Sequence, residues 1–170
     1  MTKPTAGKVF VFSVLISIVA GCAKKQADYG YAPPFTLPDV NGNQISLSDF
    51  QDKVIIVTFW ATWCTGCVAE IPHFIELYDQ YKDQGLGIIA ISLDEGGADD
   101  VRPFLKKKPI NYTMLIGNED VSKQYNTKGI LPTTFVIDRT GKIRSKYVGY
   151  RKKPVFEKDI KMLLNAGLNR

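Results

Sequence analysis

The sequence predicts an α/β domain in which a central mixed β-sheet is covered by helices on both faces. Three observations carry that expectation. Two apolar runs, Val54 to Trp60 and Leu86 to Leu93, are dense in β-branched and aromatic residues with little polar alternation, the pattern of strands buried on both faces. Apolar residues between and after these runs recur at helical spacing, so strands alternate with helices before a closing hairpin and helix. Finally, 170 residues, 45% of them hydrophobic, suffice for one globular domain with a proper core and are too few for two comfortable ones.

Taken in order, residues 22–34 are polar, aperiodic and contain Gly and Pro, which reads as a tether ending in Pro33-Pro34. The folded domain, 35–170, is expected to begin with Phe35-Thr36-Leu37. A turn at Asn41-Gly42-Asn43 and the run Gln44 to Leu47 complete a hairpin. Ser48-Asp49-Phe50 reads as a short helical turn, and Val54 to Trp60 as the central strand. Val68, Ile71, Phe74, Ile75, Leu77 and Tyr78 then mark a helix through about Lys82, stopped by Gly85. A strand at Leu86 to Leu93, a helix at Ala98 to Lys108, a short strand at Tyr112 to Ile116 and a short helix at Glu119 to Tyr125 follow. Thr133 to Ile137, the turn Asp138-Arg139-Thr140-Gly141 and Lys142 to Val148 form a second hairpin, and Val155 to Leu164 an amphipathic closing helix. No internal repeat is visible.

The net charge of +5 does not point to nucleic acid. Basic residues are scattered, and the two tight runs, Lys106-Lys107-Lys108 and Arg151-Lys152-Lys153, each abut a proline, as solvated loops and helix ends do.

The N-terminus has the layout of a secretory signal: Lys3 and Lys8, then an apolar run from Val9 to Ala20 too short for a confident spanning helix. Val19-Ala20-Gly21-Cys22 closes it and resembles the bacterial lipoprotein processing site. The resemblance implies a signal peptide over 1–21, cleavage before Cys22 and a lipid thioether on its sulfur. An ordinary N-terminal membrane anchor with an incidental cysteine is the alternative. Both place the domain outside the cytoplasm, tethered to a membrane. With Cys22 lipidated, the three cysteines reduce to one pair, Cys64 and Cys67. A ring closed by cysteines three apart restrains the unfolded chain little, so structural stapling explains the pair poorly.

A Cys-x-x-Cys motif can be half a zinc site, a haem attachment site or a redox couple. Zinc takes about four ligands, and only His73 is left to join the pair. Haem attachment places a histidine after the second cysteine, where Val68 stands. Redox chemistry needs only two thiols that can bond, one of them activated. The pair lies where a buried strand ends and a helix begins, and a helix N-terminus stabilises a thiolate through unpaired N–H groups and a partial positive charge. Cys64 is therefore the expected nucleophile and the exposed partner, and Cys67, one turn in, the buried resolving thiol. Trp63 is expected to shield the site on one side and Trp60 to pack in the core or against the site with its N–H paired. Thr65 either bonds a sulfur or faces water, and His73 reads as a partly exposed helix residue.

The motif Phe59-Trp60-Ala61-Thr62-Trp63-Cys64-Thr65-Gly66-Cys67, with Glu70, Pro72 and Leu131-Pro132-Thr133-Thr134-Phe135, resembles the thioredoxin-like disulfide reductases of the bacterial envelope, the TlpA/ResA type. The likeness runs over about 32–166, including Ala32 to Leu37 and Asp138 to Lys142. It implies a thioredoxin-like fold with an N-terminal hairpin and a central helix–strand insertion, acting as a monomer with no cofactor beyond the Cys64–Cys67 disulfide. Pro132 matches the family's cis-proline, and Leu131 and Trp63 would meet an incoming client. Glu70 matches an acid that exchanges a proton with the second cysteine, and Pro72 a helix-kinking proline. The implied partners are disulfide-bearing clients such as apocytochrome c and a membrane thiol donor of the DsbD/CcdA type. Gly66 departs from the proline frequent before the second cysteine, which leaves the redox poise open. Three alternatives stay open beside reduction of clients: a disulfide oxidase or isomerase, a thiol peroxidase, and a non-enzymatic binding lipoprotein. Peroxidases carry proline seven and threonine three residues before their reactive cysteine; Val57 and Ala61 stand there, so peroxide activity is expected to be feeble.

Overall fold

The computed structural model describes residues 28–166, together with Met1. The expected signal segment and the lipidation site Cys22 lie outside the described residues. Among those described, no helix is long and apolar enough to cross a membrane.

The elements run β1 (Thr36–Pro38), β2 (Gln44–Ser46), β3 (Val54–Trp60), α1 (Thr65–Tyr81), β4 (Leu86–Ser92), α2 (Ala98–Lys107), β5 (Thr113–Ile116), α3 (Glu119–Gln124), β6 (Thr133–Ile137), β7 (Ile143–Val148) and α4 (Lys153–Ala166). Each expected strand and helix is present, with ends shifted by a few residues at most. β1 and β2 pair antiparallel, and their turn is built by Asp39, whose carboxylate accepts the N–H groups of Asn41 and Asn43 at 2.7 and 2.9 Å. Gly42 takes φ +92° there, a conformation that side chains disfavour. Gly85, at φ +98°, ends the short helical turn that follows α1.

The main sheet has the order β5-β4-β3-β6-β7. β3, β4 and β5 run parallel, while β6 and β7 join antiparallel. The α2–β5 segment thus adds one edge and the closing hairpin the other. Because side chains alternate across a strand, β3 feeds two cores. Val54, Ile56 and Trp60 pack under α1, α2 and α4 with Phe74, Leu77, Phe156 and Ile160. Ile55, Val57 and Phe59 face the opposite way, against Phe35, Leu37, Val121 and Tyr125 from the N-terminal hairpin and α3. Thr58 shares the α1 side and is satisfied by Thr134 on β6, oxygen to oxygen at 2.8 Å.

The end of the expected tether is part of this body. Ala32 N–H donates to Gly141 O, Ile143 N–H to Gly30 O, and the Tyr125 hydroxyl to Pro33 O, each at 2.9 Å. The ordered fold therefore takes in residues ahead of Phe35, because the β6–β7 hairpin offers backbone partners and Tyr125, just after α3, a hydroxyl donor that local composition does not announce.

Candidate active site

β3 and β4 are parallel, so their C-terminal ends open on the same edge of the sheet, where crevices form in open α/β sheets. Chain leaving β3 turns at Ala61–Cys64, with Cys64 N–H donating to Ala61 O at 3.1 Å, and enters α1 at once. Cys64 is the N-cap of that helix. Its backbone is extended, and its sulfur accepts the Cys67 N–H at 3.2 Å. The cap position thus aims an otherwise unpaired amide at the sulfur, the arrangement that stabilises a thiolate once the bond is reduced. Cys64 and Cys67 form a disulfide with a Cα–Cα separation of 5.3 Å.

The expected contrast in exposure is small. Cys64 is 8% and Cys67 3% exposed, both buried in the oxidised state. Trp63, directly before the capping cysteine, is 70% exposed. Trp60 is buried against Phe104, ring centroids 5.2 Å apart, yet its indole N–H has no partner, contrary to expectation. Thr65 is exposed and bonds neither sulfur, and His73 is half buried on α1, its ring 6.0 Å from that of Tyr150.

The Leu131–Pro132 peptide is cis, and Pro132 is buried at the active-site edge. A Cβ on Gly66 would stand 3.5 Å from the Pro132 ring and 3.7 Å from Tyr150 Cβ, so the first turn of α1, the Pro132 loop and the loop after β7 meet beside the disulfide. Gly149 N–H donates to Pro132 O at 2.7 Å and ties two of these together.

Glu70 lies one turn beyond Cys67, on the inner face of α1, and is 1% exposed. One carboxylate oxygen accepts Arg151 N–H at 2.6 Å, and the other has no partner. Burial pushes this carboxyl up to about 7, against the Arg151 amide and guanidinium, which favour the charged form. Glu70 lines a very small cavity with Cys67, Trp60, Thr58, Phe74 and Tyr112, so the acid and the second cysteine border one space. Burial, with the Glu70 charge adding to it, raises the Tyr112 hydroxyl far above its ordinary value.

Two partners escaped the sequence. Asp94, just past β4, accepts both the N–H and the hydroxyl of Thr62. Arg151 fastens Glu70 through its backbone. An acid two residues past a buried parallel strand that ends at Ser92 was the available signal for the first; a main-chain donor has none. Among the described residues no group of three or more His, Cys, Asp and Glu side chains could hold a metal ion.

Comparison with known proteins agrees with this geometry. The model of the AhpC/TSA family matches residues 30–146. The thiol-disulfide oxidoreductase ResA of Geobacillus kaustophilus is 35% identical over 133 residues, 78% of this chain and 75% of the relative. ResA of Bacillus cereus is 36% identical over 126 residues, 74% of this chain and 72% of that one. Among solved structures, a Chlorobium tepidum protein assigned as the thiol:disulfide interchange protein DsbE superposes with a TM-score of 0.75 at 33% identity, covering 81% of this chain and 98% of that one. A strand-to-helix Cys64–Cys67 disulfide on this fold, together with these relatives, makes the chain a member of the AhpC/TSA family and a thioredoxin-like thiol–disulfide oxidoreductase of the ResA/DsbE type.

Proposed function

We propose that the protein reduces disulfides of client proteins in the bacterial cell envelope, with Cys64 as nucleophile, Cys67 as resolving thiol and Glu70 as proton carrier. The observation that carries this reading is the asymmetry of the pair: Cys64 caps α1 and receives an amide N–H, whereas Cys67 lines a very small cavity with a carboxyl whose burial raises it to about 7. The Cys64 thiolate attacks one sulfur of a client disulfide, and the other leaves as a thiolate that takes up a proton. Cys67 passes its proton to Glu70 and attacks the Cys64 sulfur. The Cys64–Cys67 bond forms, the second client sulfur leaves, and Glu70 returns the proton to it. The client gains two electrons and the protein becomes a disulfide, which a membrane thiol donor of the DsbD/CcdA type restores. Trp63, Leu131 and Pro132 receive the client, with Leu131 pairing strand-like beside the disulfide. Apocytochrome c is a fitting client, since its paired cysteines must be reduced before haem is attached.

The N-terminus supports an anchored, extracytoplasmic form: Lys3, Lys8, the apolar run and Val19-Ala20-Gly21-Cys22 fit a lipoprotein signal with lipid on Cys22. Val57 and Ala61 are fully buried apolar residues and give a thiol-peroxidase reading no support.

Trapping with Cys67→Ala tests the direction of flow. The mixed disulfide on Cys64 should hold mature envelope proteins whose cysteines act reduced; newly exported proteins undergoing oxidation as the sole captives contradict the reading. Cys22→Ala should release the domain from membranes into the soluble fraction.

A further inference from the structure

Asp94 is a buried acid with an unusual set of partners. It is 6% exposed. Its two carboxylate oxygens accept the Thr62 N–H at 3.0 and 3.1 Å, the Thr62 hydroxyl at 2.6 Å and the Ser92 hydroxyl at 2.7 Å. All four contacts are to donors, as suits an ionised, acceptor-only carboxylate. No basic side chain pairs with it among the described residues. The backbone holds it as firmly: Asp94 N–H donates to Ser92 Oγ, Gly97 N–H to Asp94 O, and Leu93 N–H to Trp60 O at the end of β3.

Thr62 is the second residue of the turn Ala61–Cys64 whose last residue is the capping cysteine. The ends of such a turn lie within about 7 Å of each other. A buried carboxylate is thus hydrogen-bonded to the same turn that ends in the sulfur that must become a thiolate. We propose that Asp94 is a positioning residue for the reaction: its carboxylate holds the 61–64 turn that presents Cys64, and its charge opposes the Cys64 thiolate and so moves the couple toward the reducing end. This rests on Cys64 being the attacking thiol.

The consequence for the couple follows from charge balance. Closing electrons into the disulfide takes two electrons and one proton when Cys67 is left as a thiol and Cys64 as a thiolate. Only the reduced state carries the negative sulfur, so Asp94 destabilises the reduced state and leaves the disulfide untouched. The Cys67 amide acts in the opposite sense. Glu70 on α1 and Arg151 after β7 are bonded to each other on the Cys67 side, and the His73 ring lies by Tyr150.

Two substitutions separate charge from scaffold. Asp94→Asn keeps an oxygen for the Thr62 amide and removes the charge. The pH profile for alkylation of reduced protein, with the labelled cysteine located by mass spectrometry, should move to lower pH, giving roughly tenfold more Cys64 thiolate at a given pH below the midpoint. The redox equilibrium with glutathione, measured where Cys64 is ionised, should shift tenfold toward the dithiol, about 30 mV less negative for a two-electron couple. Thr62→Val leaves the charge and removes one donor that spreads it, so its profile should move the other way, to higher pH. Asp94→Asn with profile and equilibrium unmoved, or Thr62→Val moving in the same direction as Asp94→Asn, overturns the role of Asp94. Label on Cys67 in place of Cys64 overturns the assignment of the nucleophile instead.

Discussion

The two cores on either side of the sheet are made of similar residues but treat polar groups differently. On the side of the N-terminal hairpin, Phe59, Tyr125 and Phe135 stack at centroid distances of 5.2 to 6.1 Å, and the Tyr125 hydroxyl, the polar atom in that aromatic cluster, donates to Pro33 O. On the α1 side, Trp60 Nε1, Glu70 Oε2 and His73 Nδ1 are buried without partners. A stable fold pairs its buried polar groups, and each exception calls for a reason. Among the described residues a fourth such atom, Arg139 Nε, lies at the β6–β7 turn; the other three gather on the side of the helix that Cys64 caps. The hairpin face pairs its buried hydroxyl, whereas the α1 face leaves polar atoms unpaired beside the disulfide, among them an oxygen of Glu70, the acid proposed above as proton carrier.

That contrast can be broken by substitution. Phe59→Ala should cost about 3–5 kcal/mol in denaturant unfolding, because a fully buried ring leaves a cavity. The exchange rate per folded molecule should not change; a slowed rate would mean the hairpin face also tunes the site. Phe74→Ala should cost a similar amount but also move the midpoint of the pH–rate profile, because Phe74 walls the cavity shared by Cys67 and Glu70. An unmoved midpoint removes the cavity from the account.

Glu70→Gln is the next largest effect and has the opposite sign for stability. In the folded protein the Glu70 carboxyl sits up at about 7 against an ordinary 4.5. Between those values the folded state binds more protons than the unfolded state, so stability falls as pH rises through this window. The contribution is fully present below about 4.5 and lost above about 7. Glu70→Gln should flatten this dependence and be roughly 3 kcal/mol more stable than the parent at pH 8, by the free-energy equivalent of the shift. Its exchange rate should fall and lose its step near pH 7. Equal slopes of stability against pH in both proteins would contradict a buried, titrating Glu70. The smallest effect should be Tyr125→Phe, about 1 kcal/mol from one hydrogen bond with no change in exchange.

The architecture was legible because its signals are local. Apolar continuity gave β3 and β4, and helical spacing gave α1 and α4. The Cys64–Cys67 pair was legible too, since its place between a buried strand and a helix is a sequence feature. What sequence concealed depends on long-range register. Asp94 meets Thr62 only because Trp60 pairs with Ser92 across parallel strands; in sequence it reads as one more acid in Leu93-Asp94-Glu95-Gly96-Gly97. Trp63 is exposed, and Trp60 keeps an unpaired N–H, features that composition does not encode. Residues 30–33 read as tether because their partners, Gly141, Ile143 and Tyr125, lie more than 90 residues away.

The most direct test of the asymmetry between the two cysteines is the rate at which each, alone, attacks a peptide disulfide. Reduced Cys67→Ala and reduced Cys64→Ala would be mixed with the same peptide at pH 7 and mixed-disulfide formation followed by mass spectrometry. The helix cap predicts attack by Cys64 at least about tenfold faster than by the enclosed Cys67. Equal rates, or a faster Cys67, would contradict it.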